Sequence, residues 1–184
     1  MDKLQEAIEL FNKRKYDAAL FILDEILEKD ENDFSALRQK GKIFVEMCQY
    51  EKALPYFEKA YELNKTPEYE GELGVCHYLL KQYDKAQIHL IQSVVEKYDD
   101  YFARTLEKAL LSKHNDDAML GLKLLMYENN PKDIYILRDI TNIAQKLKKF
   151  DIAIEFFEIL LELCPDDYVA WNNFGLVLEE LNRW

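Results

Sequence analysis

Apolar and small residues recur along this chain every three or four positions, as in Leu37, Gly41 and Phe44 followed by Ala53, Phe57 and Ala60. That spacing predicts two helices, each burying one face, joined near Cys48-Gln49-Tyr50. Small residues such as Gly41 and Ala53 let the paired helices approach closely, while Tyr50 and Phe57 fill the space toward the next pair. The same frame returns at Tyr16/Ala19, Tyr50/Ala53, Tyr83/Ala86, Asn115/Ala118 and Phe150/Ala153, with the alanines 34, 33, 32 and 35 residues apart. Four residues after each alanine stands a bulky apolar side chain: Leu23, Phe57, Leu90, Leu122 or Phe157. The next inward slot holds Ile26, Ala60, Ser93, Leu125 and Leu160. A period near 34 residues built this way is the mark of stacked helical hairpins.

Two stretches carry the frame most fully: Trp171-Asn172-Asn173-Phe174-Gly175, and Ala153 with Phe157 followed by Cys164-Pro165-Asp166-Asp167. On these residues the chain resembles the tetratricopeptide repeat family, whose pattern runs W-x2-L-G-x2-Y, then A-x3-F, then P. The resemblance implies an all-α, right-handed superhelical solenoid of antiparallel helix pairs, five repeats plus the first helix of a sixth. A single repeat domain over 1-184 follows, with repeats near 1-33, 34-66, 67-98, 99-133 and 134-167 and a partial one at 168-184. The fourth repeat departs from the frame. Leu106 stands where a small residue is expected, Asn115 replaces the aromatic, and Gly121 weakens the second helix, so this unit is expected to be bent, displaced or loose. Trp184 falls 34 residues after Phe150, in the aromatic slot before a second helix, which reads as a cut from a longer protein.

Composition narrows the function. The chain is 49% hydrophobic and 32% charged with 5 Gly and 4 Pro, too few turn formers for an ordinary β fold. A formal net charge of -11 argues against nucleic acid, whose binding rests on clustered Lys and Arg. It favours partners that are basic or that bury apolar side chains. No apolar run approaches the roughly 20 residues that span a bilayer, and the N-terminal stretch lacks a signal-peptide pattern. The expectation is a cytoplasmic protein without membrane insertion. Cys48, Cys76 and Cys164 have no CxxC spacing and read as reduced thiols serving as small core residues. Without a secretory signal, the sequon Asn64-Lys65-Thr66 reads as a helix end.

No catalytic residue, metal or cofactor emerges. The five glycines stand in no phosphate-loop setting. His77, His89 and His114 lack ligand spacing; His77 falls on a buried helix face and His114 in a hairpin turn. The pairs Asp99/Asp100, Asp116/Asp117 and Asp166/Asp167 fall at helix joints, where Asp caps free N–H groups and complements the helix dipole.

In the family it resembles, the first helix of each hairpin lines a concave groove, and function is read from those helices. The implied groove is apolar at Leu4, Ile8 and Phe11, although these also have Leu20, Leu23 and Leu27 of their own hairpin to pack against. It then becomes mixed, and the candidate peptide-binding residues are Arg38, Lys42, Tyr78, Arg138, Asn142 and Asn173. Arg138 and Asn142 are four apart on one helix face, and Asn173 is offered by the next first helix. The trio resembles part of a carboxylate clamp, with Asp139 beside Arg138 as a neutralising neighbour. Arg38/Lys42 has the same spacing, but Glu72 stands where the clamp's next Asn would be. The function expected is a non-enzymatic protein-interaction scaffold binding an extended peptide or helix of a partner in the groove. The alternatives are an adaptor portion of a larger glycosyltransferase or methyltransferase, and a module that self-associates through its end repeats.

Overall fold

The computed structural model describes residues 2–181. The position of Trp184 therefore lies outside the described residues. Eleven α-helices and no strand occur among the described residues. They form five hairpins and one further helix: α1 (Lys3–Asn12) with α2 (Tyr16–Lys29), α3 (Phe34–Glu46) with α4 (Tyr50–Leu63), and α5 (Pro67–Leu79) with α6 (Tyr83–Glu96). Next come α7 (Asp100–Leu111) with α8 (Asp116–Asn129), α9 (Ile134–Lys146) with α10 (Phe150–Leu163), and α11 (Tyr168–Glu180). The all-α hairpin architecture expected from the periodicity is thus present, with α11 following the fifth hairpin where the frame places a further first helix.

Acidic caps start most first helices. Asp2 accepts from Leu4 N–H, Asp33 from Ala36, Asp99 from Tyr101 and Phe102, Asp133 from Tyr135 and Ile136, and Asp167 from Ala170. Each supplies an acceptor to a terminal N–H that has no partner inside its helix. The helix α5 differs, starting on Pro67, whose missing N–H costs nothing at that position.

The chain divides into two compact units, Met1–Ala109 and Leu110–Trp184. In the first, Ala7, Ala19, Leu23, Ala36 and Ile43 form one core cluster, against which Leu4, Phe11, Leu20 and Leu27 pack. Leu4 and Phe11 therefore join the core of their own hairpin. A second cluster joins Ala53, Phe57, Leu73 and Cys76. Glycine permits two close approaches here. A Cβ on Gly41 would stand 3.0 Å from the Phe57 ring, and one on Gly71 would stand 2.3 Å from that of Phe102. Any side chain on Gly71 would force the Phe102 ring of α7 to shift.

In the second unit, Leu137, Ile140, Phe157 and Leu160 are buried between α9 and α10. Helix α8 runs unbroken through Gly121, so the irregularity expected of the fourth repeat shows elsewhere. Ala118 is half-buried, unlike Ala19, Ala53, Ala86 and Ala153, while Met119, Lys123 and Met126 are buried one position later. The preceding turn is also the slackest, with Leu110 and Leu111 carbonyls both 3.4 Å from their amide donors.

Cys76 is buried and Cys164 half-buried, but Cys48 is exposed. The reading of Cys48 as a core residue is corrected: it sits in the turn after α3 with φ 57°, where the side chain points to solvent.

Candidate functional site

Each unit holds a groove built mainly from first helices. In Met1–Ala109, a space of about 400 Å³ is lined by Phe11 of α1, by Arg38, Lys42, Val45 and Glu46 of α3, by Glu68, Glu72 and Val75 of α5, and by Asp99, Tyr101 and Phe102 at the start of α7. Phe57 closes its floor from α4. Residues four apart on α3, and on α5, share one helix face, which is why these side chains converge.

Arg38 is committed within the protein. Its Nε and Nη2 donate to the two oxygens of Glu72 at 2.7 and 2.6 Å, and its guanidinium lies 5.0 Å from the centre of the Tyr69 ring. This bidentate arrangement fixes α3 against α5 and raises the Arg38 pKa further, chiefly through the hydrogen bond to Glu72. Lys42 forms a looser ion pair with the same carboxylate, 3.9 Å from Glu72 and beyond hydrogen-bond range. Tyr78 does not join them. It packs on Tyr83 with ring centroids 5.9 Å apart, outside the lining of this groove.

In Leu110–Trp184 a smaller space of about 240 Å³ brings together Arg138, Asn142 and Asn173 with Thr141, Phe157, Leu160, Asp167, Val169 and Ala170. Three residues singled out in the sequence thus line one groove. Arg138 is neutralised, though not by Asp139. Its Nε and Nη2 donate to Asp167 Oδ2 at 3.1 and 2.8 Å, whereas Asp139 accepts from the buried Lys123 at 2.6 Å. Adjacent helical residues point different ways, so Asp139 could not turn back on Arg138. Asp167 is held below the ordinary carboxylate range, first by the Ala170 N–H and further by Arg138. Asn142 and Asn173 make no side-chain hydrogen bond among the described residues, which leaves their amides for a ligand.

Sequence reasoning missed Glu46, Tyr101 and Phe102 as groove residues. Tyr101 and Phe102 follow the Asp99 cap of the degenerate fourth repeat, where the frame gives least guidance. The cap itself was the signal that could have placed them. Among the described residues, no group of three His, Cys, Asp or Glu could hold a metal ion, and no helix is long and apolar enough to cross a membrane.

Comparison with known proteins agrees with this geometry. A tetratricopeptide repeat profile matches residues 35–67. The Xenopus laevis tetratricopeptide repeat protein 21B is 30% identical over 141 residues, covering 76% of this chain and 10% of that protein. DnaJ protein P58IPK homolog B of Oryza sativa subsp. japonica is 37% identical over 59 residues, 32% of this chain and 12% of that protein. The chain thus spans about a tenth of the length of the curated relatives it matches. Among solved structures, YrrB, described as a TPR protein with an unusual peptide-binding site, superposes with TM-score 0.67 at 20% identity, covering 92% of this chain and 89% of that one. MamA superposes with TM-score 0.65 at 18% identity, covering 85% and 93%. The repeated frame, the five helical hairpins and these likenesses together support a tetratricopeptide repeat array.

Proposed function

We propose that this chain is a protein-interaction scaffold that takes an extended peptide or a helix of a partner protein against its first helices. The observation that carries this reading is the groove of Met1–Ala109, in which α1, α3, α5 and α7 together present an apolar floor and a charged rim. Concave sites of a few hundred Å³ with an apolar lining and a few placed polar groups are the usual form of a binding site. The peptide-binding site named for YrrB supports the same reading by analogy of fold. Asn142 and Asn173, in the groove of Leu110–Trp184, are the side chains left to meet a ligand there, and Lys42 adds a loosely paired cation to the first groove. Arg138 and Arg38 shape the grooves through their ion pairs, and Tyr78 stands at the end of α5 as an outer contact.

The test is capture of partners with the intact chain and three variants. Tyr101→Glu and Asn142→Lys each place a charge in one groove, and Gln92→Lys alters an exposed position on the second helix α6. The expected result is a partner retained by the wild type and by Gln92→Lys but lost from at least one groove variant. A partner retained by both groove variants with the fold intact by circular dichroism would move the site off the first helices.

A further inference from the structure

The groove of Met1–Ala109 has a charge pattern that goes beyond a general affinity for peptides. Its lining carries four carboxylates, Glu46, Glu68, Glu72 and Asp99, against two cations, Arg38 and Lys42. The Arg38 charge is cancelled by Glu72 at 2.6 Å, Lys42 stands 3.9 Å from the same carboxylate, and Glu68 pairs with Lys97 on the rim. Glu46 is exposed and has no cation partner among the described residues. Asp99 spends its carboxylate on two backbone N–H groups, which satisfies hydrogen bonds without removing the negative charge. Tyr101 lines the same groove as Glu46 and Asp99, 61% exposed, its ring 5.7 Å from that of Phe102. The Tyr101 phenol is raised above its ordinary pKa by partial desolvation first, then by Glu46, Glu72 and Asp99. An apolar floor and an exposed aromatic beneath unpaired carboxylates form a mould for a side-chain pair of opposite character.

We propose that this groove selects a partner segment carrying lysine or arginine beside an aromatic side chain. The inference rests on the scaffold reading above and adds the chemistry of the ligand. The aromatic ring enters the space between Phe11, Val45, Val75 and Phe102, which at about 400 Å³ admits one or two large side chains. The cation lies over the Tyr101 face and toward Glu46, where a cation–π contact and an ion pair act together. An acidic segment of the same shape meets Glu46 and Asp99 and is repelled, so the discrimination comes from rejection as well as attraction.

The experiment uses the intact chain and three fluorescein-labelled heptapeptides with the central sequences Lys-Trp-Lys, Glu-Trp-Glu and Lys-Ala-Lys, read by fluorescence anisotropy. The Lys-Trp-Lys peptide is expected to bind at least about fivefold more tightly than either of the others, the scale of one or two exposed ion pairs or one buried ring. The margin over Glu-Trp-Glu should shrink when salt is raised, because exposed charges are screened. Glu46→Lys should erase that margin, and Tyr101→Ala should weaken both tryptophan peptides; both positions are exposed, so folding is not at stake. Equal binding of the two tryptophan peptides, weakened by Tyr101→Ala, would overturn the charge preference and leave the groove as the binding site. Binding that neither variant changes would overturn both the preference and the groove. No binding of Lys-Trp-Lys at millimolar concentration would overturn the preference, and the capture experiment would then decide the groove separately.

Discussion

At the scale of single residues, burial separates groups that the sequence leaves alike. Cys76 is fully buried, its thiol pointing to the Tyr50 carbonyl at 3.6 Å, and burial first, then Glu58 and Glu51, push its pKa up to about 12. Cys48 is exposed. Because the thiolate is the reactive form, iodoacetamide at pH 8 should label Cys48 at least about a hundredfold faster than Cys76. Peptide mapping by mass spectrometry checks this, and equal rates in the native protein would refute it. His77 gives a pH dependence. Its ring stacks on His89 at 5.5 Å, its Nδ1 meets Gln82 Oε1 at 2.8 Å, and Lys85 and Glu58 act on it from α6 and α4. Burial is the main cause that lowers its pKa below the ordinary 6.5, so the folded chain resists a proton that the unfolded chain accepts. Stability from this site is complete above pH 6.5 and falls as pH drops through the depressed folded value. Urea midpoints measured from pH 7.5 to 5.5 should fall less for His77→Gln than for the wild type; parallel curves would assign the acid sensitivity elsewhere.

At the scale of elements, the turns between paired helices show what periodicity conceals. Arg14, Cys48, Lys81, His114 and Lys148 all adopt positive φ, between 52° and 60°, at the same place in each hairpin. Each closes its first helix in one way: the left-handed residue donates to a carbonyl three back, and the following residue donates to one five back, as Lys81 does to Tyr78 and Gln82 to His77 at 2.9 Å. Glycine normally announces such a closure, and none stands at these five positions, so the sequence identified the turns without revealing their strain. Hairpin existence was legible because the apolar period repeats five times. The αL residue was not, because its cost is met by the packing of both helices instead of by residue choice. The left-handed region costs a non-glycine residue about 1–2 kcal/mol, and glycine's extra unfolded freedom offsets about half of this. Lys81→Gly is therefore expected to stabilise by about 0.5–1 kcal/mol in urea titration. Gly121→Ala should gain a similar amount, roughly 0.5–1 kcal/mol, since a Cβ there meets nothing within 4 Å and the residue lies inside α8. A loss of stability in either variant would show that the backbone needs glycine at position 121 or a lysine contact at 81.

For the molecule as a whole, the two compact units suggest stability that is local. In the candidate sites, residues one helical turn apart were legible: Arg138, Asn142 and Asn173 line one groove as their spacing implied. The partner of Arg138 was not legible, because Asp167 lies 29 residues away, at the cap of α11, and meets Arg138 only once α9 and α11 have both packed on α10. Contacts of this kind, between neighbouring repeats, are what hold an array together, and their range sets how far a defect spreads. Phe57 tests that range. It is 3% exposed, belongs to the cluster of Ala53, Leu73 and Cys76, and its ring lies where a Cβ on Gly41 would stand only 3.0 Å away. Phe57→Ala should cost about 3–5 kcal/mol of local stability, since it removes a buried ring that α3 and α5 cannot collapse to replace. In native-state hydrogen exchange, protection should fall in α3, α4 and α5, while the amides of α9 and α10 keep theirs, because their core of Leu137, Ile140, Phe157 and Leu160 shares no residue with the damaged cluster. If protection falls equally in α4 and α10, the chain unfolds as one cooperative body and the local account fails. If it falls in α3 to α5 alone, a partner that grips the first groove stabilises that unit selectively, and exchange in α3 and α5 becomes a direct readout of ligand binding.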